Sequence, residues 1–154
     1  MPRLLLFCLS IVLLLITEST EMNGQDRSYD QNALRLDSRF GDTRILRGVD
    51  GTVVGKIGVF RGADLVKIVA PSETAVIEAQ DFKRNYGPGN WLVGVGLMTF
   101  GAGLGASRIP DLNPGIGIGL SVASFALIGY GGLKLQHAYN ALHRALWWYN
   151  RDLK

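Results

Sequence analysis

The chain has 154 residues, of which 47% are apolar and 19% charged, with a formal net charge of +3. That charge is mild and scattered, with no block of five basic residues, which argues against a nucleic-acid reader built on a basic stripe. With one cysteine, Cys8, the chain has no intrachain disulfide and no cysteine-rich metal site.

The N-terminus reads MPRLLLFCLSIVLLLITESTEMNGQDRS, with one arginine ahead of a 13-residue apolar run, Leu4 to Ile16. At 1.5 Å per residue such a run is too short for about 30 Å of hydrocarbon, yet it suits the core of a secretory leader. Residues 1–19 are therefore expected to be a cleaved signal peptide, the alternative being an uncleaved anchor helix. Phe7 precedes Cys8, where lipid attachment needs a small residue, so no lipid anchor is expected. Residues 20–42 are polar and aperiodic and read as a tether.

Residues 43–86 read as a small β-hairpin plus helix. Asp50-Gly51 between β-branched runs signals a type I′ hairpin, and Arg61 to Asp64 a second turn, which predicts strands at 43–48, 52–60 and 64–69. A helix follows, with Ser72 as N-cap, Glu73 in its first turn and Gly87-Pro88-Gly89 as its end. Ala75, Ala79, Phe82 and Tyr86 share one stripe of it, the spacing of a face that covers the strands.

Two uncharged runs come next, 90–107 and 115–133, of 18 and 19 residues, joined by the turn 108–114. As helices they would be about 27 and 28 Å long, enough to span a bilayer. Pro110 and Pro114 break the turn, which leaves an antiparallel transmembrane hairpin. Its glycines at 101, 103 and 105, and at 115, 117 and 119, have neither the spacing nor the preceding strand of a nucleotide-binding loop. They suit helix packing in lipid, where small residues let backbones approach. Gly94, Met98, Gly101 and Gly105 share one face of the first span, and Gly115, Gly119, Ala123 and Ala126 one face of the second. These faces suit each other or a neighbouring copy.

The second span runs without a breaker into 134–154, an amphipathic helix. Leu135, Tyr139, Leu142, Leu146, Tyr149 and Leu153 form its apolar stripe, while His137, Arg144 and Arg151 line another face. With Trp147 and Trp148 this is the composition of an interfacial or partner-binding helix, and membrane surface and self-association both stay open. His137 and His143 lie roughly 120° apart around the helix, so they do not pair as metal ligands. No catalytic motif of the H-E-x-x-H or G-x-S-x-G type occurs.

The close at 145–150, Ala-Leu-Trp-Trp-Tyr-Asn, resembles the Ala-Val-x-x-Tyr-Asn ending of uncharacterised small bacterial membrane proteins. In those a leader, a short N-terminal region and an Ala-containing helix precede two glycine-rich spans. The resemblance covers roughly residues 43–154 and departs at Leu146 and the tryptophan pair. The glycine spacing also resembles outer-membrane glycine-zipper hairpins, without the lipid-bearing cysteine of many of those. Neither family implies a reaction.

The signals for orientation conflict. A cleaved leader exports residues 43–86, yet Lys83, Arg84, Lys134, Arg144, Arg151 and Lys154 flank the outer ends of the hairpin against Arg108 in its turn. The leader is favoured. Either way, the expected fold is mainly α: a glycine-rich transmembrane hairpin, a small N-terminal β-hairpin/helix segment and an amphipathic C-terminal helix. The expected function is a non-enzymatic, multi-pass membrane protein of the bacterial cell envelope, inner or outer membrane, that self-associates or scaffolds an envelope partner. The alternative is an oligomeric pore or transport accessory subunit. The lipid bilayer is the expected partner, with no cofactor, metal, nucleic acid or small-molecule ligand.

Overall fold

A computed structural model describes residues 28–39, 42–59, 62–109 and 113–153. The expected signal peptide lies outside the described residues. The elements run β1 (Leu34–Arg39), β2 (Asp42–Arg47), β3 (Thr52–Gly58), α1 (Leu65–Ile68), α2 (Glu73–Ala106) and α3 (Pro114–Asp152). Two long antiparallel helices thus carry a three-stranded antiparallel meander at their open end.

The sheet buries one face because its apolar residues fall in register. Leu36 stands opposite Ile45, and Thr43 opposite Ile57, so Leu34, Ile45 and Ile57 all point to the core. The pairing jumps from Ile45↔Gly55 to Leu46↔Val53, a bulge that leaves Val54 unopposed. Gly55 has to be small, since a Cβ there would lie 2.8 Å from Ile68 Cδ1 and 2.9 Å from Ala63 Cβ.

Four sequence expectations change here. Strand β1 lies inside the stretch read as a tether, because its partners are β2 and a distant helix rather than a local turn. The turn between β2 and β3 spans residues 48–51, with positive φ at Gly48 (70°) and Gly51 (68°) and at no non-glycine residue. Asp50-Gly51 is therefore not a two-residue type I′ turn. The strand expected at 64–69 is the helical turn α1. Finally, α2 does not stop at Gly87-Pro88-Gly89 but carries Pro88 within it. Contacts along α3 hold the helix through the breaker, and a lost hydrogen bond at one proline does not outweigh them.

The helix starts follow the expected chemistry. Ser72 accepts from the backbone N–H of Ala75 at 3.2 Å and donates to Asp152 Oδ2 at 2.6 Å. One hydroxyl thus caps α2 and ties it to the end of α3, with a carboxylate placed at a helix N-terminus. Asn113 caps α3 by accepting from Gly115 N–H at 2.9 Å, with Pro114 in the first turn, where a missing N–H costs nothing.

The core sits at the sheet end. Ala75, Ala79, Phe82 and Tyr86 of α2 pack with Ala138, Ala141, Leu142, Ala145, Leu146 and Tyr149 of α3 beneath Leu34, Ile45, Ile57, Leu65 and Val69. The stripe on α2 therefore covers the strands as its spacing predicts. Asn150 closes the outer edge of β1. Its Oδ1 accepts from Leu34 N–H at 2.7 Å and its Nδ2 donates to Leu34 O at 2.9 Å, pairing as a strand residue would.

Candidate functional site

Beyond the core the two helices continue as a hairpin with no charged residue between Arg84 and Arg108 or between Asp111 and Lys134. They touch along a seam of small residues seven apart. Gly89, Gly96 and Gly103 on α2 are buried against Gly117, Ser124 and Gly131 on α3. The approach is close enough that backbone meets backbone. A Cβ at Gly131 would lie 2.9 Å from Gly89 O and Val93 N, one at Gly117 2.9 Å from Gly103 O, and one at Gly96 3.1 Å from Ser124 O. Hydroxyls beside the seam are satisfied within their own helices: Ser121 donates to Gly117 O, Ser124 to Ser121 O and Ser107 to Gly103 O.

These are not the glycines that the spacing singled out. Among the described residues, a Cβ at Gly94, Gly101, Gly105 or Gly119 would meet nothing within 4 Å, and one at Gly115 would meet its own cap residue, Asn113. Ala123 and Ala126 are exposed. The two expected faces do not meet each other in this chain. They lie on the outer sides of the hairpin because G-x-G pairs recur every seven residues in α2, at 87/89, 94/96 and 101/103. Each pair puts one glycine on either side of the helix. The signal that identifies the inner stripe is its continuation from Ala75 and Phe82, which share the same seven-residue step with 89, 96 and 103.

The outer surface of this half is apolar. Trp91, Leu97, Met98, Ile118, Val122 and Phe125 are each more than half exposed, Met98 at 78%. Helix α3 is long and apolar enough to cross a membrane, and 17% of its most apolar 18-residue window is buried inside the chain. Trp91 and Tyr130, both largely exposed, stand at one depth where the charges resume: a Cβ on Gly131 would reach Val93. Lys134 Nζ lies 5.7 Å from the Tyr130 ring and donates to Asn85 Oδ1 at 3.3 Å.

The residues expected on an interfacial or partner-binding face of the C-terminal helix are divided by the structure. Leu142, Leu146 and Tyr149 are buried in the chain's own core, and Trp148 packs against that core. Arg144 forms an ion pair with Glu78 at 2.9 Å, and this adjacent carboxylate raises the guanidinium's pKa. Tyr139, Trp147 and Arg151 stay at the surface. The middle of the amphipathic stripe, Leu142, Leu146 and Tyr149, is thus covered internally. Arg151 stacks on Trp148 with its Cζ 3.8 Å from the ring centroid, and Trp147 meets Trp148 edge to face. With an axial rise of 1.5 Å per residue, Trp147 stands about 21 Å beyond Leu133. It does not share a level with Trp91 and Tyr130.

Tyr86, missed as anything but a core residue, holds the end of β3 by donating to Gly58 O at 2.7 Å. Burial pushes its pKa up, so it stays a donor. A cleft of about 310 Å³ opens beside it, lined by Gly62, Asp64, Leu65, Phe82 and Lys83 among others. Among the described residues no group of three or more His, Cys, Asp or Glu side chains is placed to hold a metal ion. No family model matches the chain, nor does any curated protein or solved structure.

Proposed function

We propose that this chain is a two-span membrane protein of a bacterial envelope with a structural role. It seats a small folded base at the membrane surface and assembles, with copies of itself or with an envelope partner, through the outer glycine faces of its hairpin. The observation that carries this reading is the burial pattern of residues 90–133, in which glycine and serine lie inside and large apolar side chains outside. In water that arrangement would leave a large apolar patch unsatisfied; in hydrocarbon it costs nothing. Because the seam holds α2 at backbone distance from α3, α2 shares whatever depth α3 takes, and a single strongly apolar helix carries its partner across.

Assembly is supported by the outer glycines. Each costs about 1 kcal/mol of helix propensity relative to alanine. At Gly94, Gly101, Gly105, Gly119 and Gly129 no contact among the described residues offsets that cost. Close packing against a further helix would. The two outer stripes lie on opposite sides of the hairpin, so one copy's α2 can meet the next copy's α3.

The test replaces Gly101, Gly105, Gly119 and Gly129 by leucine, one at a time. Unfolding of the protomer should be unchanged, while the cross-linked oligomer or co-purified partner is lost. An oligomer or partner complex that survives all four substitutions refutes the assembly reading. A chain released from membranes by alkaline carbonate refutes the membrane reading.

A further inference from the structure

We infer that the foot of the hairpin, at Lys83, Arg84 and Lys134, binds the anionic headgroups of the adjoining phospholipid leaflet. The inference rests on the membrane reading above and adds the chemistry of the lipid. Charge complementarity is the ground for it. Lys134 follows the uncharged run of α3 directly and leans over the Tyr130 ring, one turn toward the apolar half. Helical side chains tilt toward their own N-terminus, which for α3 is the membrane side. Arg84 lies about 9 Å along the axis from Asn90; its Cβ tilts the other way, toward the base, so its guanidinium reaches the headgroup layer only through the length of its flexible side chain.

Among the described residues, Lys83 and Arg84 are exposed and make no ion pair. Among those residues Lys134 meets a neutral amide and a ring and no carboxylate. The nearby acids are directed elsewhere. Glu78 pairs with Arg144, Asp81 adds to the same guanidinium's field, and Asp42 pairs with Arg44. Three cations therefore ring the hairpin just outside the apolar band, with Trp91 and Tyr130 as aromatic anchors at its edge. The far end offers Arg108 alone, three residues from Asp111. The asymmetry assigns the anionic lipid to the leaflet on the side of the folded base, whichever compartment that base occupies.

The experiment uses the full chain in phosphatidylcholine vesicles doped with spin-labelled phosphatidylglycerol or spin-labelled phosphatidylcholine. Spin resonance reads the fraction of each label immobilised on the protein. The labelled phosphatidylglycerol should be preferred by at least about fivefold, the factor expected for one basic side chain at an anionic site. High salt should reduce that preference. The K83Q/R84Q/K134Q protein should lose it, and K83Q/R84Q, which breaks no ion pair among the described residues, should weaken it with thermal unfolding unchanged. Arg108→Gln should leave it intact. Equal immobilisation of both lipids by the native protein, or a preference that survives the triple substitution, overturns the inference. A chain that fails to float with phosphatidylcholine vesicles sinks the membrane reading itself, a result distinct from floating without lipid preference.

Discussion

Three neighbouring glycines give the sharpest test of the seam. Gly129, Gly131 and Gly132 have the same chemistry, yet only Gly131 faces α2. An alanine Cβ at 131 would sit 2.9 Å from Gly89 O and Val93 N, both backbone atoms, whereas ordinary contact begins at 3.4 Å. The helices would have to part by the difference, roughly 0.5 Å, and a gap of that size forfeits a quarter or more of the dispersion well for each contact. Overpacking of this kind costs about 1–3 kcal/mol. Any propensity gained on replacing glycine by alanine is common to all three sites and cancels in the comparison. Gly131→Ala should therefore be about 1–3 kcal/mol less stable than Gly129→Ala or Gly132→Ala. Titration of detergent-solubilised protein with dodecyl sulfate, followed by near-ultraviolet circular dichroism, measures the difference. Equal stabilities for the three variants would refute the backbone-contact seam.

Other consequences follow at the base. Asn150→Ala leaves both the N–H and the carbonyl of Leu34 without their partner, so it should cost about 1–3 kcal/mol and speed hydrogen exchange at the Leu34 amide in particular. Unchanged exchange there would dismiss the strand-edge role. Gly48→Ala should unfold the hairpin end, because its φ is positive and a Cβ would lie 2.6 Å from Gln31 O; Gly51→Ala bears the φ strain alone and should cost less in the same melt. For Tyr86 the sign is fixed by burial, which raises its pKa above the ordinary value near 10.0. The neutral, hydrogen-bonded form belongs to the folded state, so its contribution is complete below about pH 10 and is lost as pH rises through the raised value. Tyr86→Phe should be less stable at neutral pH and show a shallower alkaline loss of stability than the native chain; an alkaline limb that stays unchanged would assign the titration to another group.

Much of this was legible because local rules act where local contacts decide. Ser72 caps its helix, the 75/79/82/86 stripe covers the strands, and α3 runs unbroken from its apolar half into its charged half. What failed was set by distant partners. Strand β1 reads as polar tether since Leu34 and Leu36 alternate over too short a stretch, and its outer edge is closed by Asn150, 116 positions away. The run 64–69 has the β-branched content of a strand, but the core takes Leu65 and Val69, four apart, from a helical turn. Among the candidate site residues, the apolar stripe of the C-terminal helix is partly taken up by the chain's own core. Leu142, Leu146 and Tyr149 meet the chain's own sheet and helix, which only the fold brings to them.

The glycines expose a deeper ambiguity. A G-x-G pair every seven residues supports two opposite stripes equally well, and spacing alone has no means to rank them. The ranking comes from continuity through the base. The inner stripe of α2 reads Ala75, Phe82, Gly89, Gly96, Gly103, and that of α3 reads Gly117, Ser124, Gly131, Ala138, Ala145, one step of seven throughout. At the sheet end the positions hold larger groups, because burying apolar area from water rewards size there. Along the uncharged half they shrink to glycine and serine, which fits the membrane reading proposed above, since lipid gives no reward for burial and close approach is what holds helices together there. On that reading one geometric repeat serves two driving forces, and the change of side-chain size from Phe82 to Gly89 falls at the level where the charged residues end.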